Sequence, residues 1–167
     1  MASDDTPWRI APEGLISNGA VVSFQRFRRP ADGIVHQAPS SCGVLPVGFG
    51  GGGLWLAVPR DEAFWIGVLL DASWRGELEI GVERIDRTLI SLARTGRSGA
   101  STIDGIPRPD GRVDVFCHDT ILAVQLDGGA VVCRIELTSV DDFVARTGRK
   151  PPSPFNADAA YQGWRLP

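Results

Sequence analysis

Lysine is nearly absent from this sequence, which has a single lysine, Lys150, among 17 basic residues. The other basic residues are arginines, and alanine, glycine, proline and aspartate are also frequent. This bias is typical of a GC-rich coding genome and predicts a bacterial protein. Because coding bias supplies the arginines, an arginine is not by itself evidence for bidentate recognition of an anion.

Long apolar runs and paired cysteines are also missing. The longest apolar run covers the eight residues 63–70, whereas a membrane helix needs about 20. The N-terminal residues 1–14 are acidic and interrupted by proline, unlike a secretory signal. The three cysteines are far apart and form no CxxC pair: Cys42, Cys117 and Cys133. These features predict reduced thiols in a cytoplasmic protein with no membrane partner.

A basic surface and the common metal motifs are lacking as well. The net charge is −3 and the pI about 5.3, whereas nucleic-acid-binding domains usually have a pI above about 9, so no nucleic-acid partner is expected. His36 and His118 do not form an HxH or HExxH pattern, so no metal site is predicted.

The glycine-rich residues 48–53 are not followed by Gly-Lys-Ser/Thr or by a helix, which argues against a nucleotide cofactor. We therefore expect no cofactor.

The apolar residues that are present alternate as they do in β-strands. The chain of 167 residues, of which 43% are hydrophobic, is long enough for one core. We predict an all-β fold, either an antiparallel β-sandwich or a flattened barrel. Residues 1–150 are predicted to form this single domain, and residues 151–167 an extended C-terminal arm.

The clearest β-signal begins at the glycines of residues 48–53. Two apolar segments follow, residues 54–58 and 63–70, and the polar residues 59–62 separate them. This pattern predicts a hairpin, because aromatic and branched side chains favour strands and a polar segment with proline favours a turn. The hairpin would place Trp55 near Trp65. The glycines themselves are expected to form a flexible flap or a close crossing of two backbones.

Other strands follow from alternation. Residues 77–84 alternate strictly between apolar and polar side chains, which predicts a strand with one buried face. Residues 20–27 alternate less regularly, which predicts a strand near the margin of a sheet. A three-stranded meander is predicted from residues 113–117, 120–126 and 130–137, with a tight glycine hairpin between the last two.

One helix is predicted near residues 139–147. Ser139 is a good N-cap, Asp142 lies in the first turn, where acidic side chains are favoured, and Gly148 provides a stop. No other segment shows all these signals.

The C-terminal arm carries aromatic residues. Tyr161 and Trp164 lie near its end, and Lys150 is followed by two prolines. Such an arm is expected to pack over the domain or over a partner chain. The second arrangement would give a homo-oligomer.

Three reactive side-chain types occur together at Cys117, His118 and Asp119. A thiol needs a base, and an imidazole needs an acid to hold its tautomer. Neighbouring side chains on a strand point to opposite faces, so Cys117 and His118 are not expected to meet. One interpretation places Cys117 in the core and the other two at a turn. The other is a small cofactor-independent enzyme of the lyase, isomerase or cyclase type, with His118 as acid/base in a barrel pocket.

Tryptophan is abundant, with five residues in the chain. Indole rings stack on sugars and other apolar ligands and anchor partner surfaces. We predict a non-catalytic binding or assembly module for a small molecule or carbohydrate, with Trp55 and Trp74 in its ligand surface. Arg60 and Arg75 would bind an anionic group of the ligand. Trp74 lies in a loop and is expected to be the most exposed tryptophan.

Overall fold

The structure is a computed structural model that describes residues 8–128 and 132–155. In these ranges the chain forms fourteen strands and one helix, α1 (Val140–Thr147). The strands are β1 (Arg9–Ala11), β2 (Gly14–Ser17), β3 (Ala20–Arg28), β4 (Ile34–Val35), β5 (Val47–Gly50), β6 (Gly53–Ala57), β7 (Glu62–Leu70), β8 (Leu78–Arg84), β9 (Leu89–Thr95), β10 (Gly99–Ile103), β11 (Ile106–Pro107), β12 (Val113–Asp114), β13 (Ile121–Asp127) and β14 (Val132–Thr138).

The strands form three open sheets. The five-stranded sheet has the order β1-β2-β3-β7-β10, and the six-stranded sheet has the order β5-β6-β14-β13-β8-β9. A small third sheet has the order β11-β12-β4. Pairing among the described strands is antiparallel except between β6 and β14, which are parallel. The predicted all-β fold is confirmed in its sandwich-like form, and the described strands do not close into a barrel.

The main core lies between the two large sheets. Val22 and Phe24 of β3 are fully buried in the same cluster as Ile80 and Val82 of β8. Alternate residues of a strand share a face, so each strand contributes every second side chain to this core. Burial of each such side chain stabilises the fold by about 1.5–3 kcal/mol.

The five-stranded sheet is also covered on its other face. Trp65, Phe27 and Val115 form a second buried cluster there, and the indole N–H of Trp65 donates to the carbonyl of Pro39 at 3.0 Å. Strand β7 is therefore buried along all nine of its residues. Its continuous apolar sequence reflects burial on both faces.

The predicted hairpin between residues 54–58 and 63–70 is wrong. Strand β6 pairs with β5 and β14, whereas β7 pairs with β3 and β10 in the other large sheet. The polar residues 59–62 carry the chain from one sheet to the other. Trp55 and Trp65 thus lie in different sheets, because alternation indicates which side chains are buried but not which strands are neighbours.

Two further pairing predictions need correction. Strand β3 lies between β2 and β7, not near a sheet margin, and its irregular alternation arises because both of its faces are covered. Residues 113–117 do not begin a meander, since β12 pairs with β11 and β4. The β13–β14 pairing and the strand over residues 77–84, which is β8, are confirmed.

The predicted helix is confirmed with its caps. Ser139 accepts a hydrogen bond from the backbone N–H of Asp142 at 3.2 Å, and Gly148 ends the helix with φ 67°. Phe143 is buried beneath the helix. These caps satisfy backbone groups that a helix end leaves unpaired.

The glycines of residues 48–53 allow α1 to pack closely. A Cβ at Gly48 would lie 2.7 Å from Thr147 Cγ2, and a Cβ at Gly50 would overlap the carbonyl oxygen of Arg146. Gly51 and Gly52 have positive φ values of 59° and 81°, which suit the tight turn between β5 and β6. The glycines therefore serve a close backbone approach and a turn.

The described part of the C-terminal arm lies against β3. Arg26 Nη1 donates to the carbonyl of Ser153 at 2.9 Å, and the Phe155 ring centroid lies 5.0 Å from Arg28 Cζ. Tyr161 and Trp164, on which the prediction of an ordered arm depended, lie outside the described residues. Within the described ranges, no helix is both long and apolar enough to cross a membrane.

Candidate functional site

Cys117, His118 and Asp119 lie at a turn after the bridge that Phe116 forms with β7. Cys117 is buried in the second cluster, and its Sγ lies 3.8 Å from Thr120 Oγ1. His118 is only partly buried and Asp119 is exposed. Cys117 therefore lies in the core while His118 and Asp119 lie at a turn, which is the first of the two interpretations of this segment.

Asp119 is engaged by arginine. Arg29 Nη2 lies 2.6 Å from its Oδ2, and this hydrogen bond, helped by the charges of His118, Arg29 and Arg60, lowers the pKa of Asp119. Nδ1 of His118 is 3.1 Å from the other carboxylate oxygen, but the pair is not aligned as a hydrogen bond. Acid/base catalysis would need a better-oriented imidazole than this turn provides.

The residues predicted for ligand binding have separate surroundings. Trp55 lies on the outer face of the six-stranded sheet, where Arg146 Cζ lies 4.2 Å from the ring centroid, and its N–H donates to Gly50 at 2.9 Å. Arg60 lies in the β6–β7 connection, near enough to Asp119 to lower its pKa. Arg75 Nη1 donates to the carbonyl of Ala72 in its own loop at 3.0 Å. Trp55 and Arg75 therefore already have hydrogen-bond partners within the chain.

Trp74 is not the exposed tryptophan that its loop position predicts. Its ring is partly buried against the main core and lies 6.3 Å from the ring of Trp8. A Cβ at Gly128 would approach the Trp74 ring to 3.2 Å, so this glycine makes room for it. The loop sequence does not reveal this contact, because Gly128 is distant from Trp74 in sequence.

A cavity of about 260 Å³ opens at the end of the six-stranded sheet where β6 and β14 begin. We call it the notch. The pairing of β14 with β6 begins at Ile135 and Leu54, and the notch lies beside the three residues of β14 that precede this pairing. The adjacent residues of the β5–β6 turn are glycines, which leave the space unfilled. The notch is lined by Trp8, Phe49, Gly52, Gly53, Leu54, Val132, Cys133 and Arg134.

The notch has an apolar lining. Phe49 is 61% exposed and Val132 is 54% exposed, although both belong to strands. Leu54 packs against the main core at the base of this region. Water-exposed large apolar side chains around a cavity are typical of surfaces that bind ligands or partners.

Trp8 lines the notch but does not present its hydrogen-bond donor there. Its side chain is only 9% exposed, and its indole N–H meets no acceptor among residues 8–128 and 132–155, which is also true of Trp74 beside it. A buried donor without a partner costs about 1–3 kcal/mol and is uncommon in native proteins. Less than 1 Å² of the indole nitrogen of Trp8 is accessible, so the N–H is enclosed by the protein.

The charge of Arg134 is already compensated. Its Nη2 lies 2.8 Å from Glu83 Oε2 and its Nε lies 3.2 Å from Glu136 Oε1. The hydrogen bond raises the pKa of Arg134 and lowers the pKa of Glu83. Arg134 and Glu83 therefore remain ionised at neutral pH, and the guanidinium is shared between two carboxylates.

Cys133 presents a neutral thiol. Burial raises its pKa to about 11, because desolvation disfavours the thiolate. A metal would need other ligands nearby, and the described residues contain no group of three or more His, Cys, Asp or Glu side chains placed to hold one. The notch therefore offers one neutral thiol and apolar surface.

The raised pKa of Cys133 predicts slow alkylation. In a Cys42→Ser/Cys117→Ser variant at pH 7, iodoacetamide should modify Cys133 roughly a hundredfold more slowly than an unburied thiol, since only the thiolate reacts. The rate should rise about tenfold per pH unit up to about pH 10. Mass spectrometry of timed samples measures it, with the urea-unfolded variant as the control. A rate that levels off below pH 9 would contradict the raised pKa.

Trp8, Phe49 and Val132 were not predicted to form a site. They come from three distant segments, and the pairing of β6 with β14 brings Val132 near the β5–β6 turn. One sequence signal was present: Phe49 lies within a glycine run where its side chain has little to pack against. No protein-family model, curated protein or solved structure matches this chain.

Proposed function

We propose that this protein is a non-catalytic binding module and that the notch is its ligand site. The observation that carries the proposal is the cavity with an apolar lining, bordered by Phe49 and Val132, which are 61% and 54% exposed. An apolar ligand in the cavity would remove both side chains from water. The aromatic surface thus consists of Phe49 and Trp8, with Trp74 supporting Trp8 from behind.

The size of the notch limits the ligand. Its volume of about 260 Å³ is slightly below the range of about 300–1,000 Å³ for sites of drug-sized molecules. The ligand is therefore a small molecule or one end of a larger one. Apolar contact with Phe49 and Val132 would supply most of the binding free energy, because both side chains lose water on binding.

The enzyme alternative has less support. Catalysis by His118 would require a proton-accepting partner in good alignment, and Asp119 is instead bound by Arg29 at 2.6 Å. We therefore favour the binding module.

Phe49 provides the first test of the proposal. Acetophenone serves as the probe, and ligand-observed NMR gives its Kd for the wild type and two variants. Phe49→Ala should weaken binding about five- to tenfold, a loss of about 1–1.4 kcal/mol. Leu89→Ala is the matched control, because Leu89 is 62% exposed on the same sheet but does not line the notch. Equal binding by wild type and both variants would rule out the notch as the site.

We also propose that the protein works in a reducing compartment, the bacterial cytoplasm. The three cysteines are unpaired, and disulfide-free thiols are usual for cytoplasmic proteins. Cell fractionation of the native host tests this assignment.

Assembly through the C-terminal arm is a separate proposal with weaker support. Ser153 and Phe155 contact Arg26 of the same chain, which favours an arm packed on its own domain. The molar mass in solution, measured with and without residues 151–167, distinguishes the two arrangements.

A further inference from the structure

We infer that the protein has a second ligand site, on the outer face of the five-stranded sheet, which takes a small carboxylate with an apolar chain. A cavity of about 320 Å³ lies on this face, and we call it the shelf. It is separate from the notch, because no described residue lines both cavities. The inference therefore goes beyond the proposed function and does not depend on it.

Strand register places a row of apolar side chains along the floor of the shelf. Ile16 pairs with Val21, and Val21 pairs with Leu69. Leu15 and Val22, their neighbours along the chain, are buried in the main core. Successive side chains of a strand point to opposite faces and cross-strand partners share one, so this row faces outward. All three of its residues line the shelf.

Arg9 extends this row at the edge strand β1. It pairs with Ile16, and the next residue, Ile10, packs against the main core, so the side chain of Arg9 lies on the outer face. Arg9 lines the shelf and is exposed. Its guanidinium forms no hydrogen bond or ion pair with a described residue. An anion on the shelf can therefore reach an uncompensated positive charge.

These groups fit an apolar chain that ends in a carboxylate. A guanidinium binds the two oxygens of a carboxylate in a bidentate arrangement. A chain across Ile16 and Val21, which are partly exposed, would remove apolar surface from water. The volume of about 320 Å³ lies at the lower end of the range of about 300–1,000 Å³ for small-molecule sites.

The shelf also has a carboxylate of its own, that of Asp71 at the far end. Asp71 follows β7, which is three strands away from β1, so about 14 Å separates its backbone from that of Arg9. This distance exceeds the Debye length of about 8 Å at physiological salt. The Oδ1 atom of Asp71 also accepts a hydrogen bond from the backbone N–H of Ser73 at 2.7 Å. Asp71 therefore repels an anion at Arg9 only weakly, although it would attract a cation.

Three probes with the same alkyl chain test the charge preference: octanoate, 1-octanol and octylammonium. Ligand-observed NMR on the full chain should give octanoate a Kd about fivefold lower than that of 1-octanol, the upper range for an exposed ion pair. Octylammonium should have the highest Kd of the three. The preference should shrink as the salt concentration rises, because salt screens exposed charges. A Kd for octylammonium at or below that of octanoate would overturn the inference.

Two variants assign the preference to one guanidinium. Arg9→Gln should bring octanoate to the affinity of 1-octanol, while 1-octanol stays within about twofold of its wild-type value, since an uncharged head group gains little from a cation. Arg149→Gln is the matched control, because Arg149 is also exposed but does not line the shelf. It should keep the preference for octanoate. An unchanged preference in Arg9→Gln would contradict the assignment.

Backbone amide signals separate this inference from the proposed function. In ¹⁵N-labelled protein, octanoate should shift the signals of Ile16, Val21 and Leu69, whereas the affinity for acetophenone should be the same in Arg9→Gln as in the wild type. If octanoate shifts only signals around Phe49, it binds the notch, which overturns the shelf and leaves the proposed function intact. If octanoate binds the shelf and acetophenone does not bind, the proposed function fails and the shelf stands.

Discussion

Replacing Glu62 with alanine is expected to destabilise the fold by about 3–5 kcal/mol, the cost of leaving a buried charge without its partner. Arg26 Nε and Nη2 donate to the two carboxylate oxygens of Glu62 at 2.6 and 2.7 Å, and both side chains are only 3% exposed. The variant leaves the Arg26 guanidinium buried, and among the described residues the carbonyl of Ser153 is its remaining hydrogen-bond acceptor. Urea unfolding followed by circular dichroism measures the loss.

Two controls show that this loss comes from burial. Glu79→Ala removes a pair with Arg94 of similar length, 2.7 Å, at the surface, and should cost at most about 1 kcal/mol. Arg26→Met/Glu62→Leu replaces both charges with apolar groups and should be much more stable than Glu62→Ala. If Glu62→Ala lowers the free energy of unfolding by less than about 1 kcal/mol, water hydrates the Arg26 guanidinium and this end of the sandwich is accessible to solvent.

Gly50→Ala is expected to cost about 2–3 kcal/mol, as overpacking of a tight contact does. The new methyl group would overlap the carbonyl oxygen of Arg146 in the last turn of α1, and a backbone carbonyl cannot rotate away like a side chain. The helix would have to move off β5. Thermal unfolding should show a lower Tm, and the fluorescence of Trp55, which lies beneath Arg146, should change with it.

Gly53→Ala is the matched control for this contact. A Cβ at Gly53 would meet nothing closer than 3.8 Å, the indole nitrogen of Trp55. Its stability should stay within about 0.5 kcal/mol of the wild type, the usual range for changes away from such contacts. Similar losses in the two variants would show that the helix does not depend on close approach at Gly50.

Local features of the fold were predictable from the sequence because their causes are local. The alternation over residues 77–84 identifies β8, because one face of this strand is buried and the other is at least partly exposed to solvent. The helix was found because Ser139 and Gly148 act on backbone groups within a few residues of themselves.

Strand pairing could not be predicted in the same way. Strand β7 is buried on both faces, so its sequence carries no alternation from which a partner could be inferred. The parallel pairing of β6 with β14 joins Leu54 to Ile135, which no turn sequence specifies. The hairpin prediction assumed that neighbours in sequence are neighbours in a sheet.

The candidate site differs from the aromatic surface that the sequence predicts. Trp74 was expected to bind the ligand, whereas it lies 6.3 Å from Trp8 and does not line the notch. The prediction missed Trp8 because Trp74, the ring that it packs against, is far away in sequence. Trp55 and Arg75 were predicted to bind the ligand, and both make contacts within the chain that the sequence does not reveal.

The indole N–H signals of the tryptophans test the central claim most directly. In a ¹⁵N-labelled protein titrated with acetophenone, the Trp8 signal should shift most, because Trp8 lines the notch and the ring current of a bound aromatic probe acts on its indole. The signals of Trp55 and Trp65, whose N–H groups already donate to Gly50 and Pro39, should stay nearly constant. A stationary Trp8 signal at probe concentrations that saturate binding would contradict the assignment of the notch as the ligand site.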